Sequence, residues 1–288
     1  MKKFLTLILV LLIFSIFLGE DTIFDGSLTL KYSVDTSPKL TVTTQNNFLY
    51  VGIKGRAFFI GFLSQDPFSM DFSIDQAYGI FNLGFANLFL GPKVQNFKVS
   101  PLSGDLWLGG TISSEIPFYF GNIYIAVEPH ISNTKSPEVS VLSLNFNLEN
   151  FILKSVFYNN YSYLEAGLEI PIKNAKVLGY LKYDLLNKNL QNFDTGINLK
   201  FNKVDLTFSI SPDPSTFQLS EIAISSLYTS NNSYQIGNDI TYDSQNSILN
   251  VSVYSNYKYE DLLIIPSIKW NSENPTLISG SLELLFNF

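Results

Sequence analysis

The chain of 288 residues contains no cysteine and a single histidine, His130. The lack of thiols excludes a disulfide-stapled scaffold, a thiolate metal centre and a thiol nucleophile. One imidazole without thiolates also cannot supply the ligand set of a typical zinc site. We therefore expect neither a metal nor another cofactor.

Charged residues are scarce as well, at 15% of the chain, against about 25% in ordinary soluble proteins. The formal net charge is −7, and no basic run suited to a phosphate backbone is present. We therefore expect no nucleic-acid partner. Hydrophobic residues make up 46%, with 25 Phe and 16 Tyr. These aromatic residues favour strands over helices.

Only one long hydrophobic run is present, at the N-terminus. Lys2 and Lys3 precede the apolar residues 4–18, and Gly19 and acidic residues follow. This order is typical of a secretory signal peptide, and the run is short for a membrane-spanning helix, which needs about 20 residues. We predict a signal peptide over residues 1–19 and one exported domain over residues 20–288. An uncleaved anchor is the alternative.

From Thr22 onward, runs of alternating apolar and polar residues are separated by short clusters of Asn, Asp, Ser, Gly or Pro. In "FDTGINLKF", for example, Phe193 and Ile197 fall on one face and Asp194 and Lys200 on the other. Such alternation predicts strands with one apolar and one polar face. A tight turn near Asn202 is predicted to join this strand to the next one in a hairpin. No helical period is sustained, so the sequence predicts an all-β fold.

Residues 49–90 depart from this pattern, because they are apolar on both faces and rich in glycine. Two interpretations stay open: strands covered on both faces, or a segment folded into the interior. Proline-containing stretches at 100–105, 131–138 and 211–216 are predicted to be loops.

The number of alternating runs favours a barrel over a soluble sandwich. We predict about 16 strands (range about 12–18), an even number because single-chain outer-membrane barrels are even-stranded. One sandwich does not hold so many strands, and charge is too scarce to cover several soluble sheets. In lipid, a sheet without helices must close so that all its backbone groups are paired. We predict a single transmembrane antiparallel up-and-down β-barrel.

Aromatic residues near the predicted strand ends are candidates for the girdles that lie at membrane–water interfaces. These candidates are Tyr158, Tyr161, Tyr163, Tyr228, Tyr234, Tyr242, Tyr254, Tyr257, Tyr259 and Trp270.

The final stretch, "SLELLFNF", places Leu282, Leu284, Phe286 and Phe288 on alternate positions and ends on an aromatic residue. This pattern resembles the C-terminal strand of bacterial outer-membrane β-barrels of the porin-like class. The resemblance is specific for the class and not for a family within it. It implies that the four residues form an assembly signal, that the barrel-assembly machinery and outer-membrane lipid are partners, and that the protein lies in the outer membrane.

Charged residues on the polar faces are the candidate functional residues. If the apolar faces contact lipid, these charges line the interior, where they would set the ion preference of a pore. At about 16 strands a water-filled interior is expected. The candidate lumen-lining residues are Lys31, Arg56, Glu165, Glu169, Lys176, Lys182, Asp184, Asp194, Lys200, Lys203, Asp205 and Asp239.

Together these features predict a porin-like channel for passive diffusion of small polar solutes or ions, and not an enzyme. The mixed charges predict weak selectivity that leans to cations, and a homo-oligomer is compatible with the sequence. Three alternatives stay open: a structural outer-membrane barrel without transport, an exported soluble β-rich surface or binding protein, and, least favoured, a barrel hydrolase. The hydrolase would use His130 with Ser132 or Glu128.

Overall fold

The computed structural model describes residues 23–35, 41–44, 48–55, 57–65, 71–128, 138–159, 162–231 and 233–287. Among these residues, none belongs to a helix that is long and apolar enough to cross a membrane. The strands are β1 (Ile23–Asp35), β2 (Thr41–Thr44), β3 (Phe48–Lys54), β4 (Phe58–Ser64), β5 (Ser73–Asn82), β6 (Asn87–Phe97), β7 (Leu106–Phe118), β8 (Gly121–Glu128), β9 (Glu138–Leu148), β10 (Phe151–Tyr158), β11 (Tyr163–Ile172), β12 (Ala175–Asp184), β13 (Asn189–Phe201), β14 (Val204–Pro212), β15 (Leu219–Asn231), β16 (Tyr234–Asp243), β17 (Ile248–Tyr259), β18 (Leu262–Asn271) and β19 (Ile278–Asn287).

The sheet closes on itself between its first and last strands. Each strand from β3 to β18 pairs antiparallel with the next one along the chain, as in β13–β14 and β18–β19. The last strand, β19, then pairs antiparallel with β1 over nine residue pairs, from Ser27 with Asn287 to Asp35 with Ser279. The result is the predicted all-β, up-and-down barrel.

The barrel has more strands than the estimate of about 16. Among the described residues, β2 and β3 both pair with β1, at residues 32–35 and 23–29 respectively. They therefore occupy one position in the wall, and the 19 strands fill 18 positions. Residues 49–90, which are apolar on both faces, form β3, β4, β5 and the first part of β6.

Short turns follow from the local sequence. Phe201 pairs with Val204 across the two-residue turn 202–203, and Asn202 has a φ of 49°. Tight hairpin turns require positive φ, and asparagine tolerates this conformation better than most residues. The tight turn predicted near Asn202 is therefore confirmed.

The two ends of the barrel differ in the length of their connections. At one end, which we call the short-turn end, the connections run from two residues (202–203) to four (83–86), and β1 begins and β19 ends there. At the other, the long-loop end, they run from four residues (185–188) to nine (129–137). Transmembrane barrels of bacteria show the same asymmetry.

Burial along the strands is the reverse of that in a soluble protein. On β11, Glu165 and Glu169 are only 5% and 7% exposed, whereas Leu168 and Ile170 are 37% and 36% exposed. On the next strands, Phe193 and Phe208 are exposed and Asp194 is buried. The apolar faces therefore form the outer surface of the barrel, and the polar faces line its interior.

The outer face carries aromatic residues near both ends. Tyr228, Tyr257 and Tyr259 are exposed near the short-turn end and Tyr242 near the long-loop end. Three other girdle candidates were wrong, because the ladder places Tyr158, Tyr163 and Tyr254 on interior rows. Tyr161 lies outside the described residues.

The orientation of the wall yields a paired prediction at the middle of β15. Ile224 is exposed on the outer face, and the next residue, Ser225, lies on an interior row opposite Asp239. We expect Ile224→Lys to destabilise the barrel by about 2–4 kcal/mol, because a charge on the lipid face is costly at mid-membrane. Ser225→Lys should cost little, since the lysine would enter the interior beside Asp239. Urea unfolding in lipid vesicles measures both, and equal destabilisation would contradict the assigned faces.

The loop between β14 and β15 is held by one carboxylate. Asp213 Oδ1 accepts hydrogen bonds from the Ser215 backbone amide and hydroxyl at 2.9 Å and 2.6 Å, and from the Thr216 amide at 2.9 Å. These bonds favour the charged form and hold the pKa of Asp213 well below its usual range.

A carboxylate with a lowered pKa stabilises the folded state at pH values above its unfolded pKa, which is about 3.9 for aspartate. This contribution disappears as the pH falls through the folded pKa. We therefore expect Asp213→Asn to lower the thermal unfolding midpoint at pH 7, and the gap from wild type to narrow progressively below about pH 4. A gap that stays constant between pH 7 and pH 2 would show that Asp213 does not act through its charge.

Candidate functional site in the barrel interior

The hairpin between β6 and β7 leaves the barrel wall and enters the interior. The strand β6 pairs with β5 only as far as Leu90, and β7 pairs with β8 only from Ile112 onward. Between these points, residues 93–97 and 106–110 pair only with each other among the described ladders. We call residues 93–110 the inner hairpin.

Glycine permits the bend at which the inner hairpin leaves the wall. Gly91 has a φ of 117°, and a Cβ at this position would overlap the carbonyl oxygen of Ala77 on β5. Pro92, which follows, lacks the N–H that a further ladder bond to β5 would require. The register of the β6–β7 ladder shifts at the same place, between Leu90 and Lys93.

One face of the inner hairpin packs against the interior wall of β8 to β12. Phe97 and Tyr124 approach to a ring distance of 5.3 Å. The backbone of Val99 lies so close to Gly167 on β11 that a Cβ there would overlap the Val99 carbonyl oxygen. The buried cluster formed in this way contains Phe97, Val99, Tyr124, Ala126, Val141, Val156, Tyr158 and Tyr180.

The opposite face of the inner hairpin is turned to the open part of the interior. Phe97 and Leu106 are directly paired and face the wall, so the neighbouring pair, Asn96 and Trp107, faces away from it. Trp107 is 65% exposed. An indole ring therefore projects into the open space.

A buried lysine lies at the base of the inner hairpin. The ammonium of Lys93 lies 3.3 Å from the centre of the Phe89 ring and 5.4 Å from that of Tyr124. An aromatic face attracts a cation through its quadrupole, and the attraction strengthens when water is excluded. This contact offsets part of the cost of burying Lys93.

The carboxylates of β11 are paired with lysines of β12. Glu169 Oε2 lies 3.1 Å from Lys176 Nζ, and Glu165 Oε1 lies 3.4 Å from Lys182 Nζ. The Tyr158 hydroxyl donates a further hydrogen bond of 2.8 Å to Glu165. These contacts, together with the inner hairpin above them, make this side of the interior closely packed.

The side formed by β14 to β19 is different, because many of its inward positions carry hydroxyl or amide side chains. The Ser267 and Ser281 hydroxyls lie 2.6 Å apart, and the Asn271 amide donates to Asn250 at 2.7 Å. A cavity of about 530 Å³ lies at the long-loop end of this side. Its polar lining residues are Asp239, Thr241, Asn250, Ser252, Lys269, Asn271, Asn274 and Ser279.

The candidate lumen-lining residues are distributed over both sides. On the packed side lie the two ion pairs of β11 with β12, and Asp184, whose carboxylate accepts the backbone amides of Leu186 and Asn187 at the long-loop end. On β13 to β16 lie Asp194 and Asp239, and a loose pair, Lys200 with Asp205 at 3.9 Å.

Three candidate lumen-lining residues remain: Lys203, Lys31 and Arg56. Lys203 lies in the turn at the short-turn end, where its ammonium donates to the Ser230 carbonyl oxygen at 2.9 Å. For Lys31 the structure gives the ladder position, opposite Glu283 on β19. Arg56 lies outside the described residues, as does the hydrolase candidate His130.

The proposed assembly residues belong to the strand that closes the barrel. Leu282, Leu284 and Phe286 pair with β1 on one side and with β18 on the other. Phe288 lies outside the described residues.

Comparison with solved structures identifies this architecture. Two mutants of the porin of Rhodopseudomonas blastica align over 93% of this chain and 100% of their own, with TM-scores of 0.56 and identities of 7% and 8%. A loop-deletion mutant of OmpT, an outer membrane protein of Vibrio cholerae, aligns over 93% of this chain and 99% of its own, with a TM-score of 0.50 and 10% identity. The chain has the porin-like fold of outer-membrane β-barrels. No protein-family model and no curated protein matches the sequence.

Reasoning from the sequence missed the inner hairpin of this porin-like barrel. An inward-folded piece was one interpretation of residues 49–90, but there the chain forms β3 to β5 and the first part of β6 in the wall, and the inward segment is residues 93–110. The sequence features that mark the two ends of this inward segment are Gly91–Pro92 and Gly109–Gly110. Both glycine positions interrupt an otherwise long hairpin, and Pro92 cannot continue a ladder on both edges.

The close approach at Gly167 predicts that this residue holds the inner hairpin in place. We expect Gly167→Ala to displace the hairpin, because a methyl group there overlaps backbone and not a flexible side chain. Gly179→Ala is the matched control, since a Cβ at Gly179 would make only an ordinary contact of 3.8 Å with Leu168.

Because the chain has no native cysteine, a single Ser103→Cys can report the displacement. Ser103 is buried in the inner hairpin, so maleimide labelling of its cysteine should be slow in the wild-type background and faster with Gly167→Ala. Labelling of Asp105→Cys, at an exposed position, should be fast in both. Equal rates at position 103 in the two backgrounds would show that the hairpin does not depend on Gly167.

Proposed function

We propose that this barrel lies in an outer membrane and acts as a passive channel for small polar solutes or ions, without catalysis. The observation that carries the proposal is the reversed burial of the wall. Exposed Leu168, Phe193 and Phe208 suit contact with lipid, and the interior rows of β14 to β19 carry many hydroxyl, amide and charged side chains. Barrels of 16–18 strands are wide enough to leave an aqueous channel.

The asymmetry of the connections supports one orientation in the membrane. Bacterial outer-membrane barrels have short periplasmic turns and longer extracellular loops. We therefore assign the short-turn end, where β1 begins and β19 ends, to the periplasm. The inner hairpin then enters the interior from the extracellular side.

The inner hairpin would divide the interior into a closed part and an open part. Its apolar face fills the space next to β8–β12, and its other face, with Trp107, borders the open space next to the hydroxyl and amide groups of β14 to β19. Solutes would cross on the open side, and the cross-section there, reduced by the hairpin, would limit their size.

A structural barrel without transport is the second candidate. The packed cluster and the ion pairs of β11 with β12 favour it, because they show that part of the interior contributes to stability. The polar surface of the opposite side and its cavity are not explained by such a role. The proposed assembly role of Leu282, Leu284 and Phe286 in the closing strand is compatible with both candidate functions.

Planar-bilayer recording of the purified protein distinguishes the two candidates. The channel proposal predicts discrete conductance steps in potassium chloride, and their complete absence from folded, heat-modifiable protein would favour the structural barrel.

Two aromatic residues allow a matched test of the route. Trp107 faces the open part of the interior, whereas Phe208 on β14 is exposed on the outer face. We expect Trp107→Ala to raise the single-channel conductance and Phe208→Ala to leave it unchanged, because only the former removes a bulky side chain from the proposed path. A conductance that responds to neither substitution, or only to Phe208→Ala, would exclude the proposed route.

A further inference from the structure

Three carboxylates lie along one row of the interior wall, on β13, β15 and β16. Glu221 of β15 pairs with Asp243 of β16 on one side and with Ser211 of β14 on the other. Ser211 in turn lies beside the carboxylate of Asp194 on β13. We call Asp194, Glu221 and Asp243 the acidic row.

The members of the acidic row repel one another. Glu221 lies directly opposite Asp243 in the β15–β16 ladder, and Asp194 lies two strands away from Glu221 on the other side. Like charges on adjacent strands destabilise a sheet. Glu165, Glu169 and Asp205 are paired with lysines of the neighbouring strand, but none of the ion pairs found among the described residues includes a member of the acidic row.

An independent observation points to a missing positive partner. Asp194 is only 7% exposed, yet its Oδ1 atom has no hydrogen-bond partner. Its other oxygen accepts a long bond, 3.3 Å, from the Asn192 amide, and the Ser211 hydroxyl is a further neutral donor to this carboxylate. A buried carboxylate oxygen without a donor or a counter-charge is costly. A cation near the row would remove this cost and the mutual repulsion together.

The geometry does not suit direct chelation of a metal. The described residues contain no group of three carboxylate or imidazole side chains placed to hold a metal ion. The oxygens of the row are instead distributed along the wall, across strands that are about 5 Å apart. Such a row suits a cation that keeps its water shell and is attracted by the combined charge.

We propose that the acidic row binds a small hydrated cation on its way through the barrel and makes the channel select cations over anions. This inference rests on the proposed channel function. Its residues lie on interior rows near the long-loop end, so that a cation that enters from the extracellular side would meet them early on its path. A divalent cation should be held more strongly than a monovalent one, because its charge is doubled.

Reversal potentials under a potassium chloride gradient test the selectivity. Glu221→Gln, Asp243→Asn and the double variant should lower the ratio of potassium to chloride permeability progressively. The matched control is Glu273→Gln, an exposed acidic residue in the loop between β18 and β19 at the same end. It removes the same charge without touching the row, and its effect should be much smaller. An equal change in the control would show that selectivity comes from the general acidity of the mouth, and would overturn the proposal.

Calcium chloride provides a readout that does not require conductance. At low ionic strength in detergent, millimolar calcium chloride should raise the thermal unfolding midpoint of the wild-type barrel, and should do so less in the double variant. In bilayers, the same salt should reduce the potassium current of wild type more than that of the double variant.

The outcomes separate the two proposals. A wild-type barrel without conductance that calcium still stabilises through the row would refute the channel but keep the cation site. Conductance together with an equal calcium effect in wild type and double variant would keep the channel and refute the cation site. Heat-modifiable gel mobility of each variant verifies that it has folded.

Discussion

The structure depends on the requirement that backbone N–H and C=O groups find partners where water cannot supply them. An open sheet with lipid-facing sides would leave two rows of such groups unpaired. The pairing of β19 with β1 removes both rows at once. The same requirement explains why the polar residues are buried: once the sheet is closed, its hydrophilic side has no surface except the interior.

Closure also creates the space that the inner hairpin fills. A barrel with 18 wall positions is too wide for its own side chains to meet at the centre. The hairpin brings Phe97 and Val99 across to Tyr124, Val156 and Tyr180, so that a small hydrophobic core forms inside an otherwise hydrophilic enclosure. Backbone contact at Gly167 sets how closely it approaches. The two sides of the interior consequently differ, one packed and ion-paired, the other open and lined with hydroxyl and amide groups.

This division gives the interior charges different roles. Glu165 and Glu169 lie on the packed side, where each carboxylate is neutralised by a lysine of β12. None of the ion pairs among the described residues includes Asp194 or Glu221. A count of acidic and basic residues treats these carboxylates alike. The physical difference between them comes from which strands are neighbours and from what covers each part of the wall.

The sequence by itself determined the all-β class, the strand faces and the closed barrel, since alternation has a period of two and is visible within a single strand such as β13 or β14. It also located tight turns, as at Asn202, because turn chemistry is local. Only the tertiary structure decided the strand number, the departure of residues 93–110 from the wall and the interior position of Tyr158 and Tyr254. These features depend on contacts between residues far apart in the chain, such as Val99 with Gly167, and no local pattern encodes which distant strand a segment will meet.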